Sequence, residues 1–279
     1  MTGILYIVGT PIGNLSDFSP RAAETLSSVD FIAAEDTRVT LKLLNHFGIK
    51  KPLVSYFEHN KRERGELICA RLEAGESCAL VSDAGMPAIS DPGELLVAQC
   101  AERGIPVLAV PGPSAVVSAL AISGLSTGRF TFEGFLSVNK KSRRDHLDDV
   151  KNERRTMVFY EAPHKLYATL RDMLATWGDR RIAIVRELTK IHEEAVRTTL
   201  SEAVRRCKEE PFKGEIVLVI EGAPEPEADG YTLEEAVALA KELIAEGTAP
   251  SEAAKRAAQE SGLAKRDIYR EILAQPDSD

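Results

Sequence analysis

Acidic residues stand at the points where two predicted strands end. Asp83 follows the apolar run Cys78–Val81, and Asp36 follows the apolar run Phe31–Ala34. Short apolar runs of this kind predict buried parallel strands, and open α/β sheets bind ligands outside the carboxyl ends of such strands. We therefore interpret Asp83, with Gly85 beside it, as part of a ligand site. A solvated loop remains the alternative for Asp36.

The other loops at this sheet edge allow two interpretations. Asp91 precedes Pro92, and such a pair is typical of a helix start, which is the interpretation we favour. Ser114 can cap the helix that follows it, and the same hydroxyl is compatible with a ligand hydrogen bond. The loop at residues 9–14 is G-x-x-x-G, which predicts either a plain turn or the wall of a site for a weakly charged ligand. It matches neither the dinucleotide fingerprint nor the phosphate loop, which disfavours an NAD-dependent oxidoreductase.

The elements that would position these loops form two α/β halves. Strand and helix patterns alternate five times in the first half, which predicts a parallel sheet with helices on both faces. Strand directions are mixed in the second half, which predicts a second α/β domain and a ligand cleft between the two. We place the domain boundaries at residues 1–124, 125–224 and 225–279, the last range being a linker and a small helical region. The strand patterns lie at residues 4–8, 31–34, 78–81, 107–110, 130–136, 156–160, 181–185, 196–200 and 213–222.

Composition is that of an ordinary globular protein. The 279 residues are 44% hydrophobic and 28% charged, and the net charge of −8 argues against indiscriminate nucleic-acid binding. No apolar run is long enough to span a membrane, the first residues lack the basic segment of a signal peptide, and the cysteines show no CxxC spacing. We therefore expect a cytoplasmic protein with reduced cysteines and no bound metal.

Two groups of cations interrupt this acidic background. Near the C-terminus, an alanine-faced helix, Gly262 and a helix led by Lys265 and Arg266 have helix-turn-helix spacing, for which we favour nucleic-acid contact over a lid or a dimer contact. The other group can be a solvated helix face or a patch that binds phosphates. Its members are Lys140, Lys141, Arg143 and Arg144, with Lys151, Arg154 and Arg155 after them.

Several motifs, taken in order, resemble one protein family. They are GTPIGN at 9–14, AEDTR at 34–38, SDAG at 82–85, ISDPG at 89–93, PGPSA at 111–115, YE at 160–161, PH at 163–164, RELTK at 186–190 and KGE at 213–215. The set is similar to the bacterial ribosomal RNA small-subunit methyltransferase I family, which methylates the ribose 2′-oxygen of a cytidine in 16S RNA. That family belongs to the tetrapyrrole methylase superfamily, and the resemblance covers residues 4 to about 275.

The resemblance implies two α/β domains of the tetrapyrrole methylase type, with S-adenosylmethionine in the cleft between them. It also implies a homodimer, with 16S ribosomal RNA in the small subunit as the partner. Relatives usually have Thr at the position of Met86, so the contact expected there is to the backbone. The family's Phe-Leu-Pro-basic segment reads FLSVNKK at residues 135–141, which keeps the basic character and lacks the proline. The cofactor positions carried over are Thr10, Pro11, Asp83, Ala84, Gly85, Met86, Ser114, Ala115, Tyr160, Glu161 and Leu188.

Methyl transfer to an alcohol needs a positioned hydroxyl and a base. The base candidates are Asp36, Glu187 and, if burial lowers its pKa, Lys190, whereas Arg38 is expected to grip a phosphate. One alternative is a precorrin-type methyltransferase that acts on a tetrapyrrole carbon. Another is a non-catalytic module that binds the cofactor or RNA. The two groups of cations favour RNA over a macrocycle.

Overall fold

A computed structural model describes residues 2–225 and 232–274, which fall into two units. Unit 1 spans Met1–Ala223 and unit 2 spans Pro224–Asp279. Unit 1 contains two five-stranded sheets, and the described part of unit 2 is helical. Of the range 225–279, predicted as a linker and a small helical region, residues 226–231 and 275–279 lie outside the described residues.

The first sheet of unit 1 is parallel throughout. Its elements are β1 (Leu5–Val8), α1 (Pro20–Ser28), β2 (Phe31–Ala34), α2 (Thr37–His46), β3 (Leu53–Ser55), α3 (Lys61–Glu73), β4 (Cys78–Val81), α4 (Gly93–Glu102), β5 (Val107–Val110) and α5 (Ala115–Ile122). The strand order is β3-β2-β4-β1-β5. The predicted parallel sheet is confirmed, and of its strands β3 alone has no counterpart among the predicted strand ranges. It has three half-buried residues, too few to produce a periodic pattern.

Helices cover both faces of this sheet. Because side chains alternate along a strand, Phe31 of β2 packs with residues of α3 and α4, whereas its neighbour Ile32 packs with residues of α1 and α2. Both side chains are fully buried, and each contributes about 1.5–3 kcal/mol of burial free energy. This double coverage explains why the strands are continuously apolar and leaves the strand ends free to form loops.

The second sheet of unit 1 is mixed. Its elements are β6 (Phe130–Phe135), α6 (Lys140–Asp149), β7 (Thr156–Glu161), α7 (Pro163–Trp177), β8 (Arg181–Arg186), β9 (Glu194–Thr199), α8 (Leu200–Glu209) and β10 (Ile216–Ile220). The order is β6-β7-β10-β8-β9; β6 and β7 are parallel, and the other neighbouring pairs are antiparallel. The predicted mixture of strand directions is confirmed.

The described part of unit 2 is a three-helix assembly of α9 (Leu233–Ala245), α10 (Pro250–Ser261) and α11 (Lys265–Ala274). Thr232 caps α9 and forms a capping box with Glu235. Gly262 ends α10 in the left-handed conformation, with φ of 71°, as the predicted turn requires. Small buried side chains such as Ala253 and Ala257 allow the helices to approach closely.

The four cysteines are buried free thiols, as expected for reduced core residues. Across residues 2–225 and 232–274, no helix combines the length and apolar character that a membrane span needs. Within the same residues, no group of three or more His, Cys, Asp or Glu side chains is arranged to hold a metal ion.

Candidate active site

A cavity of about 430 Å³ lies in unit 1, between loops that leave the first sheet and strand ends of the second. Its volume is within the range of small-molecule sites. The first sheet contributes the loops after β1, β2, β4 and β5, and the second contributes residues at the ends of β6, β7, β8 and β10. The lining residues are Ile12, Glu35, Ser82, Asp83, Ala84, Gly85, Met86, Ile89, Ser90, Asp91, Ser114, Ala115, Phe135, Tyr160, Glu161, Ala162, Pro163, Val185, Leu188, Gly214, Glu215, Ile216 and Val217.

The charge of the cavity is negative. Its ionisable lining includes the carboxyls of Glu35, Asp83, Asp91, Glu161 and Glu215, and none of the described lining residues is Lys, Arg or His. Burial, with the negative charge of Asp83 as a further cause, raises the pKa of Glu35 above its ordinary value, and burial likewise raises the pKa of Asp83. A cationic ligand would relieve the repulsion between these groups.

The loops after β1 and β4 are fastened to each other by backbone hydrogen bonds. Thr10 N donates to Gly85 O at 2.9 Å, and Gly85 N donates to Thr10 O at 3.1 Å. The buried Thr10 hydroxyl also donates to Ser82 O at 3.2 Å. Thr10 and Pro11, both expected to bind cofactor, are not among the lining residues, while Ile12 is. Thr10 therefore holds Gly85 at the cavity wall through these hydrogen bonds.

Glycine is required where the loops after β1 and β5 cross. A Cβ atom on Gly9 would lie 2.6 Å from Gly112 Cα, and one on Gly112 would lie 2.8 Å from Gly9 Cα. In both cases the added Cβ would meet backbone atoms of the other loop, so a side chain at either position would push the loops apart. This close approach brings Ser114 and Ala115 to the same cavity as Asp83.

Ser114 stands at the start of α5, as predicted, but its side chain makes no capping hydrogen bond. That part of the prediction was wrong. The residue lines the cavity, which is the position required by the alternative interpretation as a ligand contact.

Residues 88–90, which we call the 88–90 turn, present Ile89 at the cavity. Ala88 and Ser90 have φ of 68° and 63°, a left-handed conformation that residues other than glycine rarely adopt. The Asp91 carboxylate holds the turn by accepting from Ala88 N at 2.6 Å and from Gly93 N at 3.1 Å. Asp91 therefore lies in the turn that leads into α4, as predicted, while Pro92 occupies the cap position of that helix. Ile89 between the two left-handed residues is 52% exposed.

Residues 187–189, which we call the 187–189 turn, present Leu188 to the same cavity. Glu187 and Thr189 have φ of 52° and 65°. The Glu187 carboxylate accepts from Glu215 N at 2.9 Å and from Lys190 Nζ at 3.0 Å. Leu188 is only 8% exposed.

The second sheet contributes Tyr160 and Glu161 from the end of β7. Burial raises the pKa of Tyr160. The buried Glu161 carboxylate accepts from Ala162 N at 2.8 Å and from the Thr169 hydroxyl at 2.5 Å. Its oxygens are thus held by the protein, which fixes an acidic group in the cavity wall.

Asp36, Arg38, Glu187 and Lys190, the residues predicted for catalysis, lie beside the cavity and are not among its lining residues. Asp36 forms an ion pair with Arg38 at 2.6 Å; the Arg38 side chain is 86% exposed, and its hydrogen bonds lower the pKa of Asp36 to about 2. Backbone and lysine hydrogen bonds also lower the pKa of Glu187. Both carboxylates are therefore weak bases.

The condition set for Lys190 as a base is not met. Burial alone would lower the pKa of its ammonium group, but hydrogen bonds to Glu187 and Glu215 outweigh burial and raise it. Its Nζ lies 3.0 Å from Glu187 and 3.1 Å from Glu215, which lines the cavity. Lys190 is accordingly a cation at neutral pH that links two carboxylates.

The cations predicted to contact RNA divide into two kinds. Lys140, Lys141 and Arg144 are exposed on α6. Arg143 is buried, and its guanidinium donates to Asp172 Oδ2 at 2.9 and 2.7 Å, so its place in the predicted patch needs correction. Sequence periodicity did not reveal this buried ion pair because its partner lies 29 residues away. In unit 2, Lys265 and Arg266 lie at the exposed start of α11.

The prediction omitted several residues that line the cavity, including Glu35, Ile89, Phe135 and Glu215. Glu35 had a usable signal, because it directly follows β2 and precedes the predicted candidate Asp36. Ile89 depends on a left-handed turn, and Phe135 depends on a break in strand register between Phe132 and Gly134, neither of which a periodic pattern shows.

Comparisons with known proteins support a single assignment. The family model of the tetrapyrrole (corrin/porphyrin) methylases matches residues 4–204. A ribosomal RNA small subunit methyltransferase I from Synechocystis sp. is 48% identical over 269 residues, covering 96% of each chain. One of the same name from Thermotoga maritima is 51% identical over 220 residues, which are 79% of this chain and 99% of that relative.

A solved structure gives the same fold at low identity. Uroporphyrin-III C-methyl transferase from Thermus thermophilus, complexed with S-adenyl homocysteine, has a TM-score of 0.56 and 18% identity. The match covers 78% of this chain and 97% of that one.

Proposed function

This chain belongs to the family of tetrapyrrole (corrin/porphyrin) methylases, and from that premise we propose that it uses S-adenosylmethionine to methylate RNA of the small ribosomal subunit. The acceptor we propose is the ribose 2′-hydroxyl of a cytidine in 16S RNA. The names of the full-length relatives support the substrate class, and the acidic cavity supports the donor. We place the protein in the cytoplasm, where ribosomal subunits are, and infer that it acts as a homodimer.

The cavity suits the methyl donor chemically. When bound, S-adenosylmethionine supplies an electrophilic methyl group on a positively charged sulfur, and its sulfonium, ammonium and carboxylate groups together leave a net positive charge. The acidic lining attracts such a ligand, and the apolar side chains of Ile12, Val185 and Leu188 exclude water from it. The fastened loops at Asp83 and Ser114 and the β7 end at Tyr160 would complete the donor site.

Glu35 is the base that we assign, ahead of Asp36 and Glu187. Its carboxyl lines the cavity, whereas Asp36 and Glu187 do not line it, and hydrogen bonds lower the pKa values of those two carboxylates. Holding the acceptor hydroxyl in line with the donor contributes roughly 7–11 kcal/mol to such reactions. Positioning therefore supplies more of the rate than proton removal does.

RNA contact is assigned to exposed cations on both units. On unit 1 these are Lys140 and Lys141 at the start of α6, with Arg144 one turn later and Arg38 as a further phosphate contact. On unit 2, Lys265 and Arg266 lead α11. About a fifth of this chain has no counterpart in the Thermotoga relative, a share equal to that of unit 2. We therefore assign methyl transfer to unit 1 and an auxiliary RNA contact to unit 2.

The second candidate function is methylation of a tetrapyrrole carbon, favoured by the family's name and by the Thermus neighbour. Tetrapyrrole intermediates carry many carboxylates, and their recognition calls for arginine or lysine. The described cavity lining contains five carboxyls and neither of these cations, which favours a substrate that contributes no carboxylates to it.

The experiment has two stages. Calorimetry with S-adenosylmethionine tests the donor site, and incubation with methyl-labelled donor and small subunits from a strain lacking the protein tests transfer. We expect label in RNA, with E35Q binding the donor and transferring methyl roughly 100-fold more slowly.

The K140A/K141A variant should lower the salt dependence of RNA binding, whereas K208A, which removes an exposed cation of α8, should not. Donor binding without label in RNA would contradict the proposed function.

A further inference from the structure

Phe135 reaches the cavity because the strand β6 contains a bulge. Phe132 pairs with Val158, but Gly134 pairs with Phe159 and Phe135 with Tyr160, so Glu133 is an extra residue. In a regular strand Phe132 and Phe135, three residues apart, would point to opposite faces, since side chains alternate along a strand. With the bulge at Glu133, both rings contact Tyr160, at centroid distances of 5.0 and 5.3 Å. Bulges commonly re-aim a side chain beside an active site.

The ring that the bulge delivers remains largely open to solvent. Phe135 is 57% exposed although it lines the cavity and leans on Tyr160. A phenyl ring held along one side and free on the other is the arrangement that proteins use to stack an unpaired base. Packing inside the protein does not explain the exposed part of the ring.

The surroundings of Phe135 match a nucleotide. A Cβ atom on Gly134 would lie 3.6 Å from Ser90 Oγ, so the end of β6 adjoins the 88–90 turn, which offers the exposed and cavity-lining Ile89. In the sequence, α6 follows Phe135 closely and begins at Lys140. Its first turn carries two exposed lysines. An apolar surface beside phosphate-binding cations suits a base together with its own backbone.

We propose that Phe135 is the stacking platform for the nucleobase whose ribose is methylated, with Ile89 as a second apolar contact at the cavity mouth. The role rests on the proposed function and names the residue that positions the substrate there. A ribose can enter the cavity only when its nucleotide leaves the RNA stack, and the ring replaces part of the stacking that is lost. Stacking on a π-face is tolerant of sequence, so Phe135 positions the nucleotide and does not identify it.

The test compares variants at two exposed phenylalanines of the same strand. F135A, F135L and F135W are measured beside F130A, which removes a ring outside the cavity lining. Each purified variant is assayed for thermal unfolding, for S-adenosylmethionine affinity by calorimetry, and for kcat and KM with small subunits from a strain lacking the protein. We expect F135A to bind the donor within twofold of the wild type and to lose roughly 5- to 150-fold in kcat/KM for subunits.

The control variants separate stacking from other roles. F135W should restore most of the activity because it keeps a π-face, F135L should remain impaired, and F130A should resemble the wild type. Equal activity of F135L and F135W would overturn the stacking role, as would a loss of donor affinity in F135A that matches its loss of methylation. If F135A methylates RNA as fast as an active wild type, the stacking role is overturned and the proposed function stands. A wild type that methylates no RNA would overturn both this role and the proposed function.

Discussion

The 88–90 turn and the 187–189 turn use the same backbone device for opposite purposes. Each places an apolar residue between two left-handed residues other than glycine, and strain of that kind costs about 1–3 kcal/mol per residue. A carboxylate anchors each turn through backbone N–H groups. The difference is exposure, because Leu188 is buried in the cavity wall and Ile89 stands at its open mouth. We infer that one turn shapes the donor site and the other meets the incoming substrate.

Truncating the two central residues should give the largest contrast. L188A is expected to lower the free energy of unfolding by about 3 kcal/mol, because it leaves a void in a packed wall, and to weaken donor binding as well. I89A removes a side chain of similar size from an exposed site and should cost less than about 0.5 kcal/mol. Urea unfolding and donor calorimetry measure both effects. Equal destabilisation by the two variants would contradict the distinction between the turns.

A substitution at Gly214 can displace the Glu187 carboxylate, which anchors the 187–189 turn, without changing the turn itself. A Cβ atom there would lie 2.3 Å from Glu187 Oε1, at a φ of 87°, so G214A must displace the carboxylate and strain the backbone. We expect a loss of about 2 kcal/mol in unfolding free energy. Gly104 is the matched control, because its φ is 65° and nothing lies within 4 Å of an added Cβ. If G104A costs as much as G214A, the anchor contributes nothing.

Isosteric amides at the two anchors should differ in their pH dependence. Glu187 has a lowered pKa, so its charge stabilises the fold above its ordinary value of 4.5, and that contribution is lost as pH falls through the lowered pKa. E187Q should therefore cost about 1 kcal/mol at pH 7 and less in acid. Burial raises the pKa of Asp91, so its charge does not favour the fold, and D91N should cost little at pH 7. The measurement is the free energy of unfolding of each variant at pH 7 and in acid. A larger loss for D91N than for E187Q at pH 7 would contradict the expected difference between the anchors.

The smallest effect concerns protons released when the donor binds. Burial raises the pKa values of Glu35 and Asp83, and a cationic ligand would lower them again. Donor affinity should therefore fall a few-fold as pH decreases through the raised values, while binding at those pH values releases protons. Calorimetry in two buffers of different ionisation enthalpy measures the release. Proton uptake would show that the donor does not meet these carboxylates as a cation.

The sheets could be predicted from the sequence because each depends on local patterns. The runs Phe31–Ala34 and Cys78–Val81 are apolar throughout, since both faces of their sheet are covered, and such runs are visible without knowledge of their neighbours. The positions of Asp83 and Ser114 at the cavity followed from the same patterns, because parallel strands end at one edge.

The remaining site residues depend on features that periodicity does not encode. Phe135 is aimed by one extra residue in β6, and Ile89 by two left-handed residues. Arg143 has the same charge as its exposed neighbours in the sequence, but in the structure it forms a buried ion pair with Asp172. Such features arise from tertiary packing, which overrides local preference.

The most direct test is to locate the methyl group. Small subunits from a strain lacking the protein are incubated with it and with labelled S-adenosylmethionine, and their RNA is digested and analysed by mass spectrometry. The proposed function predicts one new 2′-O-methylated cytidine in 16S RNA. Label on a base atom, or transfer to a tetrapyrrole with none to RNA, would contradict it.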